Sequence, residues 1–342
     1  MPHPTIQSVH VTRRRELTLK EYVEGVLAGD RVTLGRAITL IESTLPAHEA
    51  LAQQLLLQLL PHTGKALRVG ITGVPGAGKS TFIEAMGTRL TKRGKRVAVL
   101  AIDPSSTVTG GSILGDKTRM AELSAEPNAF IRPSPSAGTL GGVTRKTRET
   151  LLACEAAGFD VVIIETVGTG QSETVVDEMV DCFLVLMVAG TGDELQGIKR
   201  GVLELADIVA VNKADGDNIE RAALAKRQLE TGLHYMRPKV PSWLPKVVAC
   251  SARECTGLDE LWNLVTDHRK ALADAGDFAT RRQQQQVRWM WSMIHERLLT
   301  AMREHPEVEQ RVQPLERAVS QGEITASQAA TELLEAFGIA PR

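Results

Sequence analysis

The chain has 342 residues, enough for one large α/β domain with additions or for two domains. With 43% hydrophobic and 24% charged residues and a formal charge of −1, it has the balance of a soluble globular protein. That balance argues against a nucleic-acid binder or a polybasic membrane anchor, and the longest apolar run, Phe183 to Ala189, has the length of a strand rather than of a membrane span.

Residues 1–16 read as a tail, in which the basic Thr12-Arg13-Arg14-Arg15 is a weak hint of an organellar leader. From Thr18 to about Leu60 the apolar spacing is helical, broken at Gly29-Asp30 and Leu45-Pro46. Residues 1–62 therefore form a tail and helical prelude. From Leu67 strands and helices alternate, with strands expected near 67–72, 96–102, 128–132, 160–165, 182–189, 207–212 and 246–250. Each is short, apolar and without period-2 alternation, the pattern of strands buried on both faces. The expected fold for residues 63–272 is therefore an α/β domain with a mainly parallel sheet flanked by helices. Beyond Gly276-Asp277 a long helix is expected from about Arg281 to Glu304, with Val287, Trp291, Ile294 and Leu298 as an apolar stripe. Pro306 ends it, and two amphipathic pieces follow near 307–320 and 325–337. Residues 273–342 thus form a helical arm whose apolar surface suits pairing with a second copy of the chain.

In an open parallel sheet ligands bind at the carboxyl ends of the strands, and the chemistry-bearing residues of this chain cluster there. After the first strand stands Gly73-Val74-Pro75-Gly76-Ala77-Gly78-Lys79-Ser80, which fits G-x-x-x-x-G-K-[ST] at every fixed position and is followed by a helix beginning near Thr81. The glycines let backbone N–H groups converge on phosphate oxygens, Lys79 reaches the β- and γ-phosphates, and the Ser80 hydroxyl is a Mg²⁺ ligand. The second strand ends at Asp103, before Pro104-Ser105-Ser106; an acid here can enter the Mg²⁺ shell or serve as a turn residue. Asp116, in the Gly-rich stretch 107–117, is a weaker candidate of the same kind. The strand 161–164 runs into Glu165-Thr166-Val167-Gly168: an acid for the metal, then a glycine whose N–H can sense the γ-phosphate. Gln171 lies three residues past that glycine, so it does not take the place of the water-orienting glutamine of small regulatory GTPases. Residues 190–199 are either a solvated loop or a further nucleotide-responsive element.

The base is named by Asn212-Lys213-Ala214-Asp215, an N-K-x-D motif at a strand end. The Asp215 carboxylate suits the guanine N1–H and exocyclic amine, a donor pair that adenine lacks. Cys250-Ser251-Ala252, with Arg253 next, matches the short loop whose backbone contacts guanine O6. The nucleotides expected are GTP and GDP. The four cysteines, Cys154, Cys182, Cys250 and Cys255, form no C-x-x-C pair and are expected as free thiols in the cytoplasm. Cys250 and Cys255 as a metal pair is the poorer alternative to packing.

Together, Gly73–Ser80, Asp103-Pro104-Ser105-Ser106, Glu165-Thr166-Val167-Gly168, Gly192-Asp193-Glu194-Leu195-Gln196-Gly197-Ile198-Lys199 and Asn212–Asp215 resemble the MeaB family, which includes the human methylmalonic aciduria type A protein. The resemblance spans nearly the whole chain. It implies a P-loop GTPase fold of the SIMIBI class, a homodimer built through the C-terminal arm, and a chaperone role toward adenosylcobalamin-dependent methylmalonyl-CoA mutase. By motif match it carries Lys79 and Ser80 to phosphate and Mg²⁺, and Asp103, Asp116 and Glu165 to the metal and γ-phosphate shell. It also carries Asn212, Lys213 and Asp215 to guanine, and residues 190–199 to a relay of the mutase's influence. An isobutyryl-CoA or ethylmalonyl-CoA mutase would need similar help, so the particular mutase is open. The Cys-x-Cys-Cys motif of related nickel and zinc chaperones is lacking. Lys79, Asp103 and Glu165 are the expected catalytic residues, with hydrolysis slow until the partner is present. The rival readings are a P-loop kinase acting on a small molecule and a dimeric scaffold that binds GTP structurally.

Overall fold

The computed structural model describes residues 15–103, 120–135, 140–166, 173–189 and 200–339. Contacts divide the chain into two units, Met1–Ala271 and Leu272–Arg342.

The first described elements of the first unit are three helices, two of them capped by side chains. Thr18 heads α1 (Leu19–Leu27) in a capping box: its Oγ1 accepts the Glu21 N–H at 3.3 Å, and the Glu21 carboxylate accepts the Thr18 N–H at 2.7 Å. Asp30 caps α2 (Arg31–Glu42), accepting the Thr33 N–H at 2.8 Å, and Pro46 occupies the first turn of α3 (Pro46–Leu59). Their buried residues include Val26, Leu34, Ile38, Ile41, Leu55 and Leu59.

The sheet comprises β1 (Leu67–Gly73), β2 (Val97–Asp103), β3 (Ala129–Pro135), β4 (Val161–Thr166), β5 (Cys182–Val188), β6 (Ile208–Asn212) and β7 (Lys246–Ala249). Its order is β3-β2-β4-β1-β5-β6-β7 and every pairing is parallel. The helices between strands are α4 (Lys79–Lys92), α5 (Ala121–Ala125), α6 (Leu140–Ala156), α7 (Glu173–Asp177), α8 (Arg200–Leu205) and α9 (Ile219–His234), and α10 (Leu258–Asp274) follows β7. The central strands β1, β4 and β6 are buried throughout, which is why they carry no alternation. The chain turns away from β1 in both directions, to β2 on one side and from β4 across to β5 on the other. The phosphate loop thus opens at the topological switch point.

One residue of β1 defies the apolar pattern. Arg68 is buried, and its guanidinium forms a fork with Glu155 on α6, Nε to Oε1 at 2.9 Å and Nη2 to Oε2 at 2.8 Å. Glu155 Oε2 also accepts the Gly64 N–H at 2.8 Å. The prelude is tied to the same helix: Lys146 Nζ donates to Ile41 O at 2.6 Å and to Ser43 O at 2.9 Å, and Gln53 Nε2 donates to Glu149 Oε1 at 2.9 Å.

Two boundaries differ from expectation. Ser134 and Pro135, beyond the strand end expected near 132, belong to β3, an edge strand with β2 on one side only, so prolines 133 and 135 are tolerated there. In the second unit, α11 (Asp277–Arg303) begins four residues before Arg281, because Gly276 takes the left-handed conformation, φ 79°, that starts it. Then follow α12 (Pro306–Ser320) and α13 (Ala326–Ala336), the latter capped by Thr325, with Phe337 edge-on to His305 at 5.6 Å. On α11, Val287, Met290, Trp291, Ile294, Leu298 and Leu299 are exposed.

Candidate nucleotide site

The phosphate loop is shaped by where its glycines lie. A Cβ on Gly73 would collide with the Leu186 carbonyl oxygen of β5, and one on Gly78, at φ 81°, would stand 3.0 Å from Asn212 Nδ2. Gly76 is exposed at φ 81°, whereas Ala77 is buried, its N–H donating to Val74 O at 3.1 Å. Lys79 and Ser80 open α4, and Thr81 is exposed on its first turn.

Lys79 Nζ donates to Gly73 O at 2.8 Å and to Val74 O at 3.4 Å, so the ammonium lies on the loop's own carbonyls. Burial lowers its pKa below the ordinary 10.5, while Glu165 and Glu173 oppose that shift. Ser80 Oγ is 3.4 Å from Glu165 Oε1. Register explains this meeting: Glu165 lies beside Ile71 of β1 and Ala101 of β2, so the end of β4 reaches the base of the loop. Thr166 Oγ1 donates to Thr72 Oγ1 at 2.8 Å and locks the two strand ends together. The backbone of Asp103 ends β2 at the same edge, one position beyond the Ile102–Thr166 pair. Its side chain, together with Asp116, Gly168, Gln171 and residues 190–199, lies outside the described residues.

On the base side, Asn212 is 1% exposed and works as a brace. Its Nδ2 donates to Ala77 O at 2.8 Å and its Oδ1 accepts the Ala252 N–H at 3.0 Å, joining the phosphate loop to the 251–256 loop. Lys213 is exposed at φ 58°, with its carbonyl accepting from Asn218 Nδ2 at 2.8 Å. Ser251 Oγ donates to the Asp215 carboxylate and accepts the Glu254 N–H at 3.0 Å, which fixes the carboxylate's direction. Arg253 is exposed. Cys250 is buried with Sγ 3.8 Å from Asn212 Oδ1, and burial pushes its thiol up to about 12; Cys255 is exposed. Among the described residues no group of three or more His, Cys, Asp or Glu is gathered as a metal cluster.

Glu173 is the site residue that sequence reasoning missed. It is 6% exposed at the start of α7, and its charge acts on Lys79. Its only sequence signal is an acid five residues past Gly168 at a helix start, a position that acids commonly occupy for the helix dipole.

Fold, loop and base brace together define a P-loop GTPase. A family model described as methylmalonyl-CoA mutase-associated GTPase MeaB matches residues 34–307. A probable GTPase of Mycobacterium tuberculosis is 57% identical over 325 residues, covering 95% of this chain and 97% of that protein. The mouse protein named methylmalonic aciduria type A homolog, mitochondrial, is 46% identical over 323 residues, covering 92% of this chain and 78% of that one. A crystal structure described as a LAO/AO transport system kinase shares the fold with a TM-score of 0.77 at 41% identity, covering 95% of this chain and 99% of that chain. The chain belongs to the MeaB family of GTPases, and its reaction is the hydrolysis of GTP to GDP and phosphate.

Proposed function

We propose that this GTPase is a chaperone of an adenosylcobalamin-dependent methylmalonyl-CoA mutase, gating cofactor loading and protecting the mutase through its nucleotide state. The observation that carries this reading is the match of residues 34–307 to a family described as mutase-associated. The likeness to a mouse protein named for methylmalonic aciduria supports it.

The chemistry follows from the site. Mg²⁺, when bound, supplies positive charge at the β- and γ-phosphate oxygens; the hydroxyl of Ser80 and the carboxylate of Glu165, 3.4 Å apart, are the all-oxygen donor set such a hard cation takes, with Asp103 and Asp116 as further acids. Lys79 leaves the Gly73 and Val74 carbonyls for the β/γ-oxygens, where it opposes the charge developing in the transition state. Asp103 or Glu165 orients the attacking water, and the Gly168 N–H registers the γ-phosphate. Without a glutamine immediately after Gly168, hydrolysis is slow until the partner completes the site. The exposed apolar stripe of α11, with Trp291 53% and Leu298 52% exposed, supports a homodimer through the C-terminal arm. The test is GTP turnover with and without purified methylmalonyl-CoA mutase, alongside pull-downs in each nucleotide state. Stimulated turnover and nucleotide-dependent capture are expected. Unchanged turnover with no capture would sink the chaperone role and leave the GTPase intact.

A further inference from the structure

At the amino-terminal edge of the sheet, away from the phosphate loop, one ammonium joins three elements. Lys239 Nζ donates to Asp177 Oδ1 at 2.6 Å, to Leu205 O at 2.7 Å and to Asp207 Oδ2 at 3.2 Å. Each of its three N–H donors therefore has an acceptor. The side chains of Lys239, Asp177 and Asp207 are 20%, 14% and 2% exposed, so this is a largely desolvated cluster rather than a surface pair. Asp207 is itself fixed: its Oδ2 accepts the Phe183 N–H at 2.8 Å, its carbonyl accepts from Trp243 Nε1 at 2.9 Å, and buried His268 places Nε2 3.6 Å from Oδ1.

What Lys239 holds is specific. Asp177 is the last residue of α7 and Leu205 the last residue of α8. These helices are the first described elements after residues 167–172 and 190–199, which contain Gly168 and the expected relay. The Leu205 carbonyl is one of the helix-end acceptors that α8 leaves without an internal donor. At its other end α7 begins with buried Glu173, whose charge acts on Lys79. Between these ends α7 packs on β1: a Cβ at Gly70 would stand 2.9 Å from Val176 Cγ1, and the residues just past the helix follow, with Val180 Cγ2 at 3.0 Å. Lys239 thus holds Asp177, one helical turn from Glu173, on a helix that packs on β1, the strand that leads into the phosphate loop.

We propose that Lys239, acting through Asp177 and the Leu205 carbonyl, is a positioning residue for GTP hydrolysis. It anchors the far ends of α7 and α8 to β6 at a single point, so that their phosphate-side ends keep one register. The proposal rests on GTP hydrolysis by this chain and not on the identity of its partner.

The discriminating variants are Asp177→Ala and Asp177→Asn in the full chain, both of which keep the Lys239–Asp207 pair. Asp177→Ala is expected to lower kcat about tenfold, as a displaced positioning element does, while KM for GTP and the affinity for GDP stay within about twofold. Asp177→Asn, which still offers Nζ an acceptor, is expected to fall between that variant and the parent. A parent-like kcat in both variants, with only the melting temperature lowered, would reduce the cluster to a structural staple and overturn the proposal. An equal loss in GDP affinity would overturn it too, by placing the defect in binding. A parent protein that hydrolyses no GTP would instead refute the GTPase reading, an outcome distinct from parity between variant and parent.

Discussion

The two halves of the nucleotide site differ in how finished they are. On the base side, Asn212 already joins Ala77 to Ala252, and Ser251 already aims the Asp215 carboxylate. On the phosphate side, the Lys79 ammonium is bonded to Gly73 and Val74 carbonyls that it must leave in order to reach phosphate oxygens. On the proposed assignment the base half needs little reorganisation and would serve GTP and GDP alike, which is uniform binding and does nothing for the chemical step. On the same assignment the phosphate half would rearrange, so the difference between GTP and GDP, and the proposed control by a partner, would act there.

The largest expected effect breaks the phosphate half. Lys79→Ala should lower kcat by about 10²–10³-fold, the scale for losing one donor to the charge that develops in the transition state. GDP affinity should fall much less, and equal losses in steady-state turnover and GDP titration would contradict the division. Asp215→Ala attacks the base half: GTP and GDP affinities should drop together by roughly 100-fold, the loss of two hydrogen bonds to a charged group. Turnover at saturating GTP should be nearly unchanged, so a selective loss of GTP would count against the account. Asn212→Ala leaves the buried Ala77 carbonyl and Ala252 N–H without their partner and should cost about 2 kcal/mol of stability in urea unfolding. The smallest effect is electrostatic. Because the folded pKa of Lys79 lies below its ordinary 10.5, the ammonium opposes folding at neutral pH, and that penalty disappears as pH rises through the folded value toward 10.5. Lys79→Met should therefore modestly stabilise the nucleotide-free protein at pH 7, with the gain shrinking at alkaline pH; a gain that grew with pH would reverse the sign.

The same division governs what the sequence displays. Strands β1, β4 and β6 are legible because burial on both faces forces runs such as Val161-Val162-Ile163-Ile164. The phosphate loop and Asn212–Asp215 are legible because their chemistry sits in short contiguous motifs. Arg68 within β1 is not explained by its neighbours in sequence, since its partner Glu155 lies 87 residues away. Lys239 is equally silent: its acceptors on Asp177, Leu205 and Asp207 converge only through the fold. Glu173 resembles any acid at a helix start until its burial, with a charge that acts on Lys79, sets it apart. At β3 the expected end near residue 132 falls short of Pro135, because edge position, which makes prolines 133 and 135 harmless, is a property of the sheet and not of the segment.

The most direct measurement is a pair of crystal structures, one nucleotide-free and one with a non-hydrolysable GTP analogue and Mg²⁺. The Asn212 bonds to Ala77 and Ala252 should be the same in both, while Lys79 Nζ moves from Gly73 O to the β- and γ-phosphate oxygens. A base loop rebuilt on binding, with Lys79 still on the Gly73 carbonyl, would contradict the account.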